Sequence, residues 1–496
     1  MMSDKIPFAI SFAFILLFFG ASPRSHAQAA DTIPARHQVT LKKAHIGSLH
    51  IDTLLLDSYE TVPGNVRKFY LEARKVFTEN KYADFTHEQV VAAAKRHDIR
   101  LMGGPMLGNV SDDGVSLWIR PATTKRLRII VKDADNSERE KYIIDPAVPG
   151  EELRIFLDGL NPGTEYRYKI YRWLRKITEG TFKTAPAKGE QEVVKVAFGS
   201  CFHKIGLHNP NLINQVRNRE PLAMILIGDI AVDDRYNNIN MHRADYLLRD
   251  VSNAWQDLAA NVPLYAAWDD HDYLDNDLSG IPDTLTIADR ESLREVWYQN
   301  WNNPDAGGEG IYFNTRIGPV ELIMLDTRSC RIVEKRGEYG AYLGHKQQNW
   351  LKVTLQESTA PYKIISSGTM WSDDISNGKD SWGTWDTLAR KEIFELIEEE
   401  DIPGVILISG DRHGARAFKI PVRDDFSLYE FEAASLGGVP GPRAMAKDPV
   451  NQLFGYTGSD IVAFGEFTFD TQGDKPQVVF RLIDETGKIL EEHTVF

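Results

Sequence analysis

Four short apolar runs in this chain each end in residues that carry chemistry, and that recurrence limits the fold more than any other feature. Residues 193–199 lead into Ser200-Cys201-Phe202-His203, and residues 223–227 into Gly228-Asp229. Residues 262–268 lead into Asp269-Asp270-His271-Asp272, and residues 404–409 into Gly410-Asp411-Arg412-His413. Continuous apolar runs bounded by polar loops read as strands buried on both faces, and helical patterns at 211–219, 346–357 and 384–400 are interspersed with them. Buried strands alternating with helices give an α/β sheet. Ligands of such sheets bind beyond the strand ends, so the acidic and imidazole groups there should converge. Clustered carboxylates cannot all ionise without a cation, and oxygen ligands mixed with imidazole suit divalent metals. One Gly-Asp after a strand reads as a turn or an N-cap. The same chemistry at four strand ends reads as a metal site.

The regions before this sheet have a different character. Residues 1–27 hold Lys5, an apolar run over 6–19 broken only by Ser11, and Ser25-His26-Ala27. The run is short for a membrane span and fits a signal peptide, with cleavage expected after Ala27. No Arg-Arg pair precedes it, so export by the Sec route is expected, to the periplasm or the exterior, with no membrane attachment afterwards. Residues 28–100 are expected to form a partly helical extension without chemistry. Helices are predicted over 65–80 and 86–97, the second capped by Thr86 with Gln89, and short strands at 38–41 and 47–54. Residues 101–186 alternate apolar and polar at 115–120 and 127–131, as half-buried antiparallel strands do. Leu160-Asn161-Pro162-Gly163-Thr164-Glu165-Tyr166 has the form of a tyrosine corner, whose hydroxyl bonds back to the main chain, and this segment resembles a fibronectin type III β-sandwich. A linker around Pro186 and Gly189 leads to a domain over 193–496, which ends in hairpin-like alternation around Glu485-Thr486-Gly487.

The order of the strand ends resembles the calcineurin-like metallophosphoesterase superfamily, and within it the alkaline phosphatase D (PhoD-like) branch. The superfamily pattern is Asp-x-His, Gly-Asp, Gly-Asn-His and Gly-His-x-His; here Cys201-x-His203, Asp229, Asp270-His271 and Asp411-x-His413 stand in those places. Ser200-Cys201, Trp268 to Asp272, Asp326-Thr327-Arg328, the segment 382–385 and Ser409 to His413 are marks of the branch. The resemblance covers roughly residues 101–496 and implies an α/β metallophosphoesterase core preceded by the small β-sandwich. It implies that Asp229 bridges two metal ions. Cys201 as thiolate, Asp411 and His413 would complete one shell, and Asp270 would bind the second ion. His271 would stabilise the transition state or protonate the leaving alkoxide, while a hydroxide activated by the cations attacks phosphorus in line. Arg412 and Arg328 are candidates for the phosphate oxygens, with packing roles equally open. Calcium plus iron is the implied metal set. Val232, however, stands where the family has its iron-binding tyrosine, which leaves zinc, manganese or calcium open in place of iron. Tyr236 substitutes only if its loop folds back. His203 and Asp234 are further candidate ligands, and Asp233 lies in the same acidic loop.

Charge and cysteine content narrow the function class. Lys and Arg number 57 against 71 Asp and Glu, a net charge of −14, so no nucleic-acid-binding patch is expected. Bound cations would let an acidic protein hold a phosphate. Two cysteines exclude a disulfide scaffold and a cysteine zinc ribbon, and Cys201 is expected free because pairing with Cys330 would remove a ligand. The expected function is exported, metal-dependent hydrolysis of small phosphomonoesters, phosphodiesters or both. The alternative is a catalytically impaired relative that binds carbohydrate or adheres through its sandwich. Trp297, Trp301, Trp371, Trp382 and Trp385 fall where pocket walls are expected and serve either as an apolar rim or as core.

Overall fold

The two-layer core of the protein follows from which strands can be buried on both faces. The computed structural model describes residues 39–59, 62–232, 235, 238–376, 378–473 and 475–496. Residues 1–27 with the expected cleavage site, and Asp233, Asp234 and Tyr236, lie outside the described residues. Ala223–Ile227 and Val405–Ser409 are buried at every position, as strands covered on both sides must be. Val193–Gly199, Ala223–Ile227 and Leu264–Ala267 run parallel in one six-stranded sheet. Its other half is the antiparallel run Ala463–Asp470, Gln477–Asp484 and Ile489–Thr494. A seven-stranded sheet contains the parallel strands Val320–Met324, Tyr362–Ser367, Val405–Ser409 and Phe426–Ala434. The two sheets meet through aromatic rings: Phe431 of one sheet lies 4.2 Å from Phe480 and 5.4 Å from Phe467 of the other, centroid to centroid. All four chemistry-bearing loops leave C-terminal ends of parallel strands in this core.

Residues 101–183 form a β-sandwich of a three-stranded and a four-stranded antiparallel sheet. The Tyr166 hydroxyl accepts the Asn161 N–H at 2.9 Å, which is the corner that the Leu160-to-Tyr166 stretch predicted. The five tryptophans expected as rim or core are all buried, Trp297, Trp301, Trp371 and Trp382 almost completely, so they act as core.

The extension corrects two expectations. The predicted strand at 47–54 lies largely in the helix Leu49–Ser58, and the helix Leu41–Ile46 begins at the last residue of the strand predicted at 38–41. Ile51, Leu55 and Leu56 face inward at helical spacing and Ser48 caps the second helix, so a short alternation was only part of a 3.6-residue period. The helix Glu88–Arg96 is capped by His87, whose ring accepts Gln89 N–H; Thr86 instead donates its hydroxyl and its N–H to Asp84. The predicted helix at 65–80 is present as Gly64–Glu79.

Buried charges join this extension to the core. Arg74 donates to Asp52 at 2.6 Å, and Arg235 grips Asp245 with two bonds of 2.7 Å. Lys204 lies 3.6 Å from Asp245 and donates to the Ala44 carbonyl, while Arg74 and Arg235 both donate to the Gly47 carbonyl. The Tyr59 hydroxyl donates to the Lys204 carbonyl. Such pairs are costly to break singly, because the abandoned charge stays buried.

Candidate metal centre

The backbone at the strand ends is bent in a way that side chains normally resist. Cys201, His203, Asp229, Asp411 and His413 all have positive φ, between 36° and 70°. Each costs about 1 kcal/mol or more for a residue with a Cβ, and strain of this kind gathers at functional sites. Gly228, φ 79°, has no such freedom to lose, because a Cβ there would lie 2.3 Å from that of Asp269. Asp272 organises the loop: its carboxylate accepts the N–H groups of Asp229 and Ile230 and, at longer range, those of Ala231 and Val232.

These turns bring the predicted residues into three overlapping groups whose potential ligand atoms lie within 4.8 Å of one another. Cys201, His203, Asp229 and His413 form the first, Asp229, Asp270 and His271 the second, and Asp269, Asp270 and Asp411 the third. Asp229 belongs to two groups, as a bridging ligand would. Asp411 differs from expectation: it groups with Asp269 and Asp270, and His203 takes its place beside Cys201 and His413. His271 groups with Asp229 and Asp270, among the potential ligands.

The donor set fits cations on three counts. Burial, with Asp270, Asp269 and Asp272 nearby, pushes the Asp229 carboxyl well above its usual range despite His271. Burial and the same neighbours Asp270 and Asp269 do so at Asp411, and burial with Asp229 raises the Cys201 thiol. A positive ion at this point reverses each of these shifts. Second, Asp229 Oδ1 is buried with no hydrogen-bond partner among the described residues. Third, burial and His203 hold His413 down to about 3, so it is neutral, and its Nδ1 lies 2.7 Å from the Pro440 carbonyl. That bond places the proton on Nδ1 and leaves Nε2, 3.2 Å from His203 Nε2, with its lone pair facing the site.

Asp270 behaves oppositely to Asp229. Burial raises it, but Arg328, His271 and the N–H groups of Asp277 and His271 together hold it below the carboxylate range. Arg328 is therefore placed otherwise than as a phosphate ligand. It is wholly buried, donates to both oxygens of Asp269 at 2.5 and 2.9 Å and to Asp380 at 2.8 Å, and has its NH2 3.8 Å from Asp270 and Asp411. Its charge fixes the acidic cluster from behind. Arg412 lies at the more open side, 3.5 Å from Asp411, and its Nε has no partner among the described residues.

The sequence reading missed His45. Its ring stands 4.5 Å from that of His271 and 5.9 Å from that of His203. It comes from the extension, more than 150 residues before the first motif, and no local pattern marks it.

Residues 229–452 match the family model described as PhoD-like phosphatase. No curated protein matches the chain in sequence. Among solved structures, one described as the structure of PhoD is 17% identical, with a TM-score of 0.62, over 80% of this chain and 92% of its own. A purple acid phosphatase, PPD1, from yellow lupin (Lupinus luteus) seeds is 14% identical, with a TM-score of 0.58, over 79% of this chain and 73% of its own. At these identities the two structures speak for a shared fold.

Proposed function

We propose that this chain, whose residues 229–452 match the PhoD-like phosphatase family model, is a metal-dependent phosphoric ester hydrolase that cleaves small phosphomonoesters or phosphodiesters after export. The observation that supports this most is the sharing of Asp229 and Asp270 among three ligand groups, an arrangement that would hold neighbouring cations over one phosphate. Cations bound there supply a positive field and activate water. The remaining work falls to the chain. Cys201, His203, Asp229 and His413 would hold one cation; Asp229 and Asp270 would hold its neighbour, with His271 and Asp411 beside them. Arg328 favours the ionised form of Asp270 and fixes the Asp269 carboxylate through two hydrogen bonds. Arg412, partly exposed beside Asp411, is the guanidinium candidate for a phosphate oxygen. His271, between His45 and Asp229, is placed to give a proton to the leaving oxygen.

Calcium together with zinc or manganese is the metal set favoured here over an iron–tyrosinate pair, because the tyrosine position holds the buried Val232. The apolar run at 6–19 supports export, and the mature chain would begin at Gln28. Hydrolysis of nitrophenyl phosphate and bis(nitrophenyl) phosphate, before and after chelator and metal add-back, tests the reading. Release of nitrophenol that chelator abolishes is expected, and the ratio of the two rates assigns mono- or diesterase preference. No hydrolysis of either ester with any added divalent metal sinks the proposal.

A further inference from the structure

The acidic balance of the whole chain conceals a cationic surface on the β-sandwich, lined by none of the candidate metal ligands. Leu127–Asp133 is a central strand of the four-stranded sheet, between Glu138–Ile144 and Glu165–Arg172, and the latter pairs with Arg175–Lys183. Leu127 faces Ile144 on one side and Arg172 on the other, so Arg126 and Arg128 lie beside the Arg172–Arg175 hairpin end. Lys125, Arg126, Arg128, Lys141, Arg172 and Arg175 line one depression there, with Asp145 as its carboxylate, bonded to Arg126. In a protein of net charge −14 this is a local reversal of sign.

The hairpin tip is a second, independent observation. Arg172 and Arg175 pair directly, so Trp173 and Leu174 are the whole of a two-residue turn. Turns of this length favour Gly, Asn or Asp where φ is positive. Trp173 has φ 57°, a strained backbone for an aromatic residue, and the residue is 86% exposed; Leu174 is 81% exposed. A strained position occupied by a large apolar ring that touches little of its own protein is poorly explained by folding. Ile143, 48% exposed, pairs with Arg128, whose guanidinium also lies over the Tyr171 ring.

Two protruding apolar side chains flanked by cations match the boundary between lipid headgroups and acyl chains, where Trp is at home and Arg reaches phosphates. We propose that this hairpin and its cationic surround dock the protein onto an anionic lipid surface, with Trp173 and Leu174 entering the interface. No helix among the described residues is long and apolar enough to cross a membrane, so the contact would be peripheral. The proposal departs from the expected absence of membrane attachment, on charge distribution rather than total charge. Nucleic acid and other polyanions would use the cations but leave Trp173, Leu174 and Ile143 without a role.

Flotation of the full chain with phosphatidylcholine vesicles, with and without phosphatidylglycerol, tests the proposal. Binding that requires phosphatidylglycerol is expected. The double variant Trp173→Gly, Leu174→Ser should lose it while melting no lower than wild type, since glycine relieves the turn. Lys141→Gln with Arg175→Gln should weaken partitioning about thirtyfold. Turnover of a soluble nitrophenyl ester should be the same in all three proteins. Absence of binding to anionic vesicles, or binding equally strong in both double variants, overturns the proposal. Retention on heparin or DNA without vesicle binding overturns it too, in favour of a polyanion.

Discussion

The ring of His45 lies 4.5 Å from the ring of His271, so a helix from the first fifth of the chain reaches into the metal centre. His45→Ala removes this neighbour and leaves the ligand groups intact. Turnover should fall about ten- to a hundredfold through lost orientation of His271, with metal content per chain unchanged. Steady-state rates with metal analysis on the same samples check this; an unchanged kcat would show that His45 does not position His271.

Asp229 belongs to two ligand groups and Asp411 to one. Asp229→Asn should therefore lose more metal per chain than Asp411→Asn. Its activity should drop by more than the roughly 100-fold seen when only an outer partner of a metal is removed. Equal metal loss in the two variants would contradict a bridging Asp229.

Cys201 and Cys330 are both free, and Cys201 is buried among the ligands. Protein prepared without reductant and unfolded in chelator should titrate as two thiols. Cys201→Ser should release metal at lower chelator concentration than wild type, because the softer thiolate is gone. With Val232 in the tyrosine position, the purified protein should also lack a tyrosinate-to-iron absorption band in the visible range.

Glu430 is wholly buried, and burial pushes its carboxyl up to about 7 although Ser409 and the N–H groups of Trp371 and Ser372 donate to it. The folded state holds this proton more tightly than the unfolded state does. Its contribution is therefore fully present below the ordinary Glu value of 4.5 and is lost as pH rises through about 7. The loss is on the order of 3 kcal/mol for the isolated group. Urea unfolding of wild type and Glu430→Gln at pH 5 and pH 8 should show the wild type losing ground to the variant at the higher pH. A constant difference between the two would refute this assignment.

The strand ends were legible because each joins two signals that rarely coincide by chance, a continuous apolar run and an immediate ligand pair. Periodicity also carried Gly64–Glu79 and the sandwich strands. It failed over 47–54, where too few residues were weighed to separate a period of 2 from one of 3.6. Within the site, the residue types were readable but their partition was not. Asp411 groups with Asp269 and Asp270 and not with Cys201 and His413, because loop geometry, not order along the chain, decides which ligands meet. Arg328 follows an aspartate-threonine pair near the site, and only the fold shows that its guanidinium is already satisfied by Asp269 and Asp380. His45 had no sequence neighbour with which to form a pattern.

The buried ion pairs between the extension and the core bear on where this chain can be cut. A shortened version beginning at the sandwich would leave Lys204, Arg235 and Asp245 without Asp52 and Arg74 and without the Ala44 and Gly47 carbonyls. Stranding one buried charge costs about 3–5 kcal/mol, a large share of what holds an average domain together. A chain that keeps these contacts therefore begins ahead of residue 44, and a cloning design that trusts the motif-bearing region alone also removes His45 from beside His271.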